Sequence, residues 1–487
     1  MSPTYILDQY KPRVFMRTFE DIARIPHGSG EEAGVARYIM DFARDCGLIP
    51  EPDEHGNVLI RMPASAGCGQ IPPVLFQAHM DMVCAKDPGV KHDFSRDPLE
   101  LFVAEGDVLY ARGTTLGADN AVGLCLMLGL MREEPPVHPP IEFLFTVEEE
   151  TGLFGMRKFD FSKLKARRMI NMDCGDADMI CVCGSGAAHD CITLPLRRCG
   201  YEGLKCALSV TNLVGGHSGL RIGEGRANGI TLLGRLLQRL VEDCGVRIER
   251  VDSPETSGIP TDCTAVVMLP AGGLGAAQAA AASLQQALRE EYGDRDPNIT
   301  FTLESYGEGA MQVLEPQCAQ SLVRLLCGIA YGVTHWDEDG ESVITSSCTF
   351  RLATLEDRVE IGYSIRSAID SEKWAMQDDV VALAKDCGAD IELTDHYAGW
   401  PIRPDSPIQD LCRRTYRELF GAELKTEKAH GGIEPGIAIG ALPDMDAMGI
   451  APTGRGAHTT TEHLYLREVE PVWELLRAML ERMCRGS

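Results

Sequence analysis

The 487-residue sequence predicts an α/β protein interrupted by an inserted α+β unit. Over residues 1–185, segments with helical periodicity alternate with short apolar segments, which is typical of a sheet with parallel strands. Over residues 186–398 the strand-like segments instead alternate apolar with polar residues, which is typical of a separate α+β unit. From residue 399 the first pattern returns. We therefore expect one domain formed by 1–185 and 399–487, with 186–398 as an insertion.

The segments of the first domain follow one another in a regular order. Two helical segments occur in residues 14–47 and are separated by PHGSG, since proline and glycine end helices. After them come the strands HGNVLIRMP and PPVLFQAHMDM, the helix GADNAVGLCLMLGLMREE, and the strands IEFLFTV and ARRMINMDCGD. IEFLFTV is apolar almost throughout, so it is predicted to be a strand covered on both faces.

The inserted unit contains strands with helices between them. Its strands are predicted at YEGLKCALSVTNLVGG, TAVVMLPAGG, NITFTLESYG, SVITSSCTFRL and RVEIGYSIRS, and its helices at GAAQAAAASLQQALREEYG and SEKWAMQDDVVALAKDCG. The first of these helices is rich in alanine and glutamine, which favour helix. After residue 399, helix and strand alternate again, and the last predicted helix is EPVWELLRAMLERMC.

The composition restricts the classes of partner. The formal net charge is -26, whereas nucleic acids and anionic membranes require a basic surface. There is no run of about 18 apolar residues, and the stretch MSPTYILDQYKPRVF lacks the apolar core of a signal peptide. The 18 cysteines are scattered among apolar segments without a CxxC pair. We expect a cytoplasmic protein with reduced thiols that binds neither nucleic acid nor membrane.

Three adjacent glutamates follow the apolar strand 141–147, namely Glu148, Glu149 and Glu150. Neighbouring negative charges repel one another, and burial makes each carboxylate harder to ionise. One interpretation is a solvated strand end that leads into a turn at Thr151. The other is that cations hold the carboxylates together, which requires further ligands elsewhere in the chain.

Candidate ligands lie where other predicted strands end. His79 and Asp81 are two residues apart, hence on one face of a strand. The others are Asp119 at a glycine-rich turn, Asp173 after a strand, and His458 in a glycine- and threonine-rich loop. Singly, each has an ordinary interpretation, since loop histidines are commonly solvated and an aspartate before a helix is commonly an N-cap. Together they form a nitrogen and oxygen set suited to zinc or manganese, at the edge where α/β sheets bind ligands.

Ordered motifs across essentially the whole chain support the metal interpretation. They are ARIPHGSGEE, QAHMDMV, ARGTTLGADNAVG, TVEEETG, INMDCGD, GGHSG, IRS and GAHTTTEHLYL. With these motifs the sequence resembles the M20 co-catalytic metallopeptidases, especially their aminoacyl-histidine dipeptidase (cytosol non-specific dipeptidase) branch. The resemblance implies a zinc-peptidase-like catalytic domain with a mixed central sheet, and an inserted α+β lid domain that also serves dimerisation.

The resemblance further implies a ligand set for two divalent metal ions. His79 and Asp173 would hold one ion, and Glu150 and His458 the other. Asp119 would bridge the two. The ions would be zinc by default, with manganese or cobalt as alternatives.

Two further residues receive catalytic roles from the resemblance. Glu149 would be the general base, which takes a proton from water and passes it to the leaving amine. Asp81 would orient His79 through the second ring nitrogen, as carboxylates beside metal-binding histidines do. In relatives the bridging aspartate is presented by a cis peptide bond, so we expect one between Asp119 and Asn120.

The resemblance also assigns residues to the substrate. His217 in GGHSG would reach a neighbouring subunit's site and stabilise the oxyanion, and Arg366 would clasp the substrate carboxylate. Gly432 in AHGGIEPG would let the backbone approach the substrate. Ser257 and Cys348 depart from the family pattern, so the preference for substrate side chains stays open.

The function implied is hydrolysis of the peptide bond of dipeptides, of Xaa-His type or of broad specificity, by a cytoplasmic homodimer. The nearest enzymatic alternative is an M20 deacylase or carboxypeptidase that acts on N-acyl amino acids. A different class is a metal-binding homologue without catalytic activity. Against this last class, all five expected ligands, Asp81 and Glu149 are present.

Overall fold

A computed structural model describes residues 5–254, 256 and 258–485. The chain forms two compact units. One consists of the residues up to Gly184 and from Trp400 onward, and the other is Ser185–Gly399. Ser257, one of the two positions that depart from the family pattern, lies outside the described residues.

Helices and strands alternate before the insertion, as the sequence predicts. The elements are α1 (Arg13–Ile22), α2 (Ala33–Asp45), β1 (Pro50–Pro52), β2 (Val58–Met62), β3 (Val74–His79), β4 (Leu101–Ala104), β5 (Val108–Ala111), α3 (Ala118–Arg132), β6 (Ile141–Thr146), α4 (Phe154–Lys158), β7 (Arg168–Asn171) and β8 (Met179–Cys181). All residues from Asn120 to Met131 of α3 are buried. This burial explains why the helix is apolar on every side.

The inserted unit has longer strands. Its elements are β9 (Gly186–Pro195), β10 (Arg198–Thr211), β11 (Gly216–His217), α5 (Gly229–Cys244), β12 (Arg247–Asp252), β13 (Gly258–Ile259), β14 (Cys263–Leu269), α6 (Leu274–Tyr292), β15 (Thr300–Leu314), α7 (Pro316–Gly328), β16 (Gly332–Trp336), β17 (Val343–Thr354), β18 (Arg358–Ser367), α8 (Asp370–Asp386) and β19 (Asp390–Tyr397). These elements agree with the α+β pattern of the sequence.

The chain then returns to the first unit. Its remaining elements are α9 (Pro407–Phe420), β20 (Lys425–Glu427), α10 (Glu434–Ala441), β21 (Asp446–Gly449), β22 (Gly454–Arg455), β23 (His463–Tyr465) and α11 (Val469–Arg485). Ser406 caps α9 by accepting a hydrogen bond from the N–H of Gln409, which satisfies one of the free donors of the first turn.

The first unit contains a mixed eight-stranded sheet, which confirms the predicted fold class. Its strand order is β1-β2-β6-β3-β7-β21-β8-β20. β6, β3, β7 and β21 run parallel to one another, whereas β2 is antiparallel to β6. One apolar cluster includes side chains from α1, α3 and α11 packed with the sheet. A smaller sheet has the order β22-β23-β5-β4.

The inserted unit is built on antiparallel sheets. One has the order β12-β14-β10-β15, a second β16-β17-β18-β9-β19, and β11 pairs with β13. A single buried apolar cluster contains residues from both larger sheets and from α5 to α8. Over the described residues, no helix combines the length and the apolar character that crossing a membrane requires.

Candidate metal centre

The sheet order places three strand ends side by side. β6, β3 and β7 are parallel neighbours, so their carboxyl ends lie at one edge of the sheet. His79 is the last residue of β3, Asp173 lies two residues beyond β7, and Glu150 lies four residues beyond β6. Asp119 is in the first turn of α3, where its backbone is not yet helical.

Asp119 connects two histidine–carboxylate clusters. Nε2 of His79 lies 3.0 Å from Oδ1 of Asp119 and 3.1 Å from Oδ1 of Asp173. Nε2 of His458 lies 3.3 Å from Oδ2 of Asp119 and 2.9 Å from Oε1 of Glu150. Each oxygen of Asp119 therefore belongs to a different cluster, as expected of a bridging ligand.

The spacing of the donor atoms fits two small divalent ions. Ligand atoms about 2.0–2.1 Å from a tetrahedral zinc lie about 3.3 Å from one another, close to the separations within each cluster. His79, Asp119 and Glu150 each offer one ligand atom within 4.8 Å of the others. All five residues that the sequence predicts as ligands are therefore brought together, and their nitrogen and oxygen atoms suit zinc or manganese.

The electrostatics of the centre also favour bound cations. Hydrogen bonds to Asp119 and Glu150 raise the pKa of His458 to about 11. Burial acts to lower the pKa of His79, but the carboxylates of Asp173 and Asp119 outweigh burial and raise it well above its usual range. Protons on the two imidazoles thus offset the crowded carboxylates. Because histidines bind metals in the neutral form, metal uptake must release these protons.

Asp81 holds both a ligand and the neighbouring turn. It is 1% exposed, and its Oδ1 and its carbonyl oxygen lie 3.4 and 3.1 Å from Nδ1 of His79. Its carboxylate also accepts hydrogen bonds from the N–H groups of Glu149 and Glu150, at 3.0 and 3.2 Å. The first contact agrees with the role predicted from the sequence, and the second adds that Asp81 anchors the glutamate turn.

A turn after β6 brings two consecutive glutamates to one place. It begins at Glu148, whose φ is +50°, and continues to Gly152, whose N–H donates to the carbonyl of Glu149 at 3.0 Å. Adjacent residues of a straight strand would point in opposite directions. Burial, reinforced by neighbouring carboxylates, raises the pKa of Glu149 well above its usual range. A carboxylate in such surroundings is suited to accept a proton.

Sequence reasoning missed Glu462, which supports the bridging aspartate. This carboxylate is 3% exposed. It accepts hydrogen bonds from the N–H groups of Leu116, Gly117 and Asp119 at 2.7, 2.9 and 3.1 Å. These are orphan donors at the start of α3, where negative charge is favourable. The only local signal is an acidic residue four positions after His458, which does not reveal its distant partners.

Glu462→Gln is expected to lower the free energy of unfolding by about 1–3 kcal/mol. A carboxamide offers one oxygen in place of two, and its NH₂ group would face a buried N–H donor. Urea denaturation of the metal-free protein measures the change. The matched control is Glu474→Gln on the exposed face of α11, which should stay within about 0.5 kcal/mol of wild type. Equal stability of the two variants would contradict the supporting role of Glu462.

The predicted substrate residues lie in both units. In the inserted unit, His217 ends β11 and Arg366 is the penultimate residue of β18, paired with Ser346. Burial, together with the positive charge of Arg366, lowers the pKa of His189 to about 4. Gly432, in the first unit, lies in the loop between β20 and α10 and is half-buried.

Two further expectations can be compared with the structure. The peptide bond between Asp119 and Asn120 is cis, so this prediction is confirmed. Cys348 is 1% exposed and packs in a small cluster with Ile222 and Ile259. Its departure from the family pattern therefore changes the interior of the inserted unit.

A mixed α/β sheet with histidine–carboxylate clusters at its parallel strand ends is suited to metal-assisted hydrolysis. Comparison with known families identifies the class more closely. Residues 75–482 match peptidase family M20/M25/M40, and the chain belongs to this family. It is a peptide hydrolase of mixed α/β fold.

Relatives resemble the chain over nearly its whole length. The cytosol non-specific dipeptidase of Escherichia coli (strain K12) is 32% identical over 483 residues, which cover 98% of this chain and 99% of that protein. The crystal structure of aminoacylhistidine dipeptidase from Vibrio alginolyticus superposes with a TM-score of 0.86 at 29% identity, covering 98% of this chain and 97% of that one. Human carnosine dipeptidase 1 shares the fold, with a TM-score of 0.53 at 14% identity over 97% of both chains.

Proposed function

We propose that the protein is a dinuclear metallodipeptidase that hydrolyses the peptide bond of dipeptides with a free amino end. The observation that carries the proposal is the bridging position of Asp119, whose two oxygens join two histidine–carboxylate clusters. The similarity to a cytosol non-specific dipeptidase and to an aminoacylhistidine dipeptidase supports this substrate class. The name of the first relative, a cytosol enzyme, also supports a cytoplasmic location.

Two divalent ions, zinc in this proposal, would be held by His79 with Asp173 and by Glu150 with His458, with Asp119 shared. When bound, such ions lower the pKa of water and polarise the scissile carbonyl. The remaining steps belong to side chains of the protein.

Glu149 takes the proton of the attacking water on its carboxylate and later gives it to the nitrogen of the leaving amine. Asp81 keeps His79 in one orientation and fixes the turn that presents Glu149. Both functions depend on the same buried carboxylate. The geometry of the base and of the ligands is therefore coupled.

The substrate contacts are assigned to three residues. Nδ1 of His217 accepts hydrogen bonds from the N–H groups of Gly219 and Leu220, both at 3.0 Å. The ring proton is consequently on Nε2, which is the donor that an oxyanion needs. Arg366 clasps the substrate carboxylate with its guanidinium group, and Gly432 allows the backbone to approach the substrate.

A substrate panel tests the proposal. Free dipeptides, including Xaa-His, are expected to exceed N-acetyl amino acids in kcat/KM by about 10²-fold or more. The reason is that a site that hydrogen-bonds a free amino group rejects substrates that lack this group. Chelation should abolish hydrolysis, and Zn²⁺ or Mn²⁺ should restore it. Preference for N-acetyl amino acids would instead indicate a deacylase. Full activity of protein shown by elemental analysis to be metal-free would refute the metal-dependent mechanism.

A further inference from the structure

A buried carboxylate beside the metal centre has no part in the proposed ligand set. Glu434 is the first residue of α10 and is 0% exposed. Its Oε1 has no hydrogen-bond partner among the described residues, although an unpaired buried polar atom is costly. The position of Glu434 therefore needs another explanation.

The other carboxylate oxygen begins a chain of hydrogen bonds. Oε2 of Glu434 accepts from Nε2 of Gln77. Oε1 of Gln77 accepts from Nδ2 of Asn171 at 2.6 Å, and Oδ1 of Asn171 accepts from the backbone N–H of Asp173 at 3.1 Å. Gln77 and Asn171 are also 0% exposed, so bulk water does not replace these partners. The chain connects α10 to the peptide group of a predicted metal ligand.

The two ends of the chain fix its direction. The backbone N–H of Asp173 can only donate, and the ionised carboxylate of Glu434 can only accept. Each amide between them has one accepting oxygen and one donating nitrogen, so both must point their nitrogens toward Glu434. If either amide flipped, two donors or two acceptors would face each other in a buried site.

This direction does not depend on the ionisation of Glu434. Burial raises the pKa of Glu434 to about 7. A proton carried on Oε1 still leaves Oε2 as an acceptor for Gln77. The amides therefore have one favoured orientation in both states.

We propose that Glu434 is a positioning residue of the metal centre, which fixes the amides of Gln77 and Asn171 and through them the backbone at Asp173. The inference rests on the proposed function, because that function makes Asp173 a ligand. Groups that orient metal ligands commonly change metal affinity by about 10–100-fold when they are altered. Glu434 thus acts on metal affinity without touching the ion.

Reversing the hydrogen-bond chain tests this role. Asn171→Asp puts an acceptor where an NH₂ donor stood, so Gln77 must turn and oppose its oxygen to the ionised carboxylate of Glu434. The affinity of one of the two metal sites should fall by about 10–100-fold, measured by calorimetric titration of metal-free protein with Zn²⁺. Glu434→Gln alone should weaken the same site less, by about threefold to tenfold, because a carboxamide oxygen can still accept from Gln77.

The decisive variant combines the two substitutions. In Asn171→Asp/Glu434→Gln the carboxylate is at position 171, the other end of the hydrogen-bond chain. The two amides are now at positions 77 and 434, and both can point their nitrogens toward position 171. Glu434→Gln, harmful in the wild type, should therefore raise zinc affinity about tenfold in the Asn171→Asp background. If the losses of the single variants simply multiply in the double variant, the proposal is wrong.

Folding and the proposed function are controlled separately. Circular dichroism melting shows whether each variant is folded. Glu434→Met removes the acceptor but keeps the length of the side chain, so it must weaken the same metal site as Asn171→Asp. Unchanged zinc affinity of Glu434→Met would overturn the proposal, even if the double variant fails to fold. A wild-type protein that binds no zinc would refute the proposed function instead. If the wild-type protein binds two zinc ions but the losses of the single variants simply multiply in the double variant, only the role of Glu434 is refuted.

Discussion

Glu149→Ala is expected to keep both metal sites loaded while kcat falls by about 10²–10⁴ or more, the contribution of a general base. The reason is the position of this carboxylate. The two clusters around Asp119 are completed by His79 with Asp173 and by His458 with Glu150. Glu149 lies beside them, so its removal leaves all five predicted ligands in place.

His458→Ala should give the opposite result. Its Nε2 lies within 3.3 Å of both Asp119 and Glu150, so its loss removes the only imidazole of that cluster. We expect the metal content to fall toward one ion per chain, and activity to fall with it. Added zinc should recover part of the activity of His458→Ala and none of that of Glu149→Ala.

Elemental analysis and steady-state kinetics on the same samples separate the two roles. Glu148→Ala is a matched control, since it removes the neighbouring glutamate, for which we expect no chemical role, and its activity should resemble that of the wild type. Loss of metal in Glu149→Ala together with full occupancy in His458→Ala would reverse our assignments. Strong inactivation of Glu148→Ala would show that activity depends on the conformation of the turn rather than on the Glu149 carboxylate alone.

The parts of this site that the sequence predicts are those with local signatures. His79 and Asp173 lie at the ends of segments that the sequence predicts as strands, and the parallel order β6-β3-β7 brings these ends together. Asp119 follows a glycine-rich turn before an apolar helix. The role of His458 came from the resemblance, because a histidine in a loop has no periodic pattern around it.

The supporting residues were not predicted, for a physical reason. Glu462 bonds to Leu116 across 346 positions of sequence, and Glu434 bonds to Gln77 across 357. Neither contact leaves a periodicity or a spacing that can be read along the chain, since each depends on the completed sheet. Glu434 also occupies the start of a helix, where an acidic residue is ordinary. Such residues are visible only once burial and partners are known.

The second large effect on kcat is expected at His217, which the resemblance assigns to the active site of a neighbouring subunit. His217→Ala should lower kcat by about 10²–10³, as expected when one oxyanion donor is lost. The N–H groups of Gly219 and Leu220 donate to Nδ1, which places the ring proton on Nε2. A loss confined to KM would instead assign His217 to substrate binding alone.

We propose further that the protein is a homodimer, the commonest symmetric assembly of soluble chains. The proposal predicts complementation. His217→Ala subunits are mixed with Glu149→Ala subunits under conditions that allow exchange, each preparation being nearly inactive alone. In the mixed dimer, one site combines an intact Glu149 with His217 of the partner subunit, and the other site lacks both. Activity should therefore reappear.

The amount of activity recovered distinguishes this arrangement from its alternatives. Random pairing of equal amounts makes about half of the dimers mixed, and each has one working site of two, so recovery should approach about a quarter of the wild-type rate. Mass measurement of the mixed species confirms that exchange has occurred. If exchange is complete and no activity returns, His217 acts within its own chain or outside the reaction. Recovery well above a quarter is incompatible with one working site per mixed dimer, because the second site lacks both its base and its oxyanion donor.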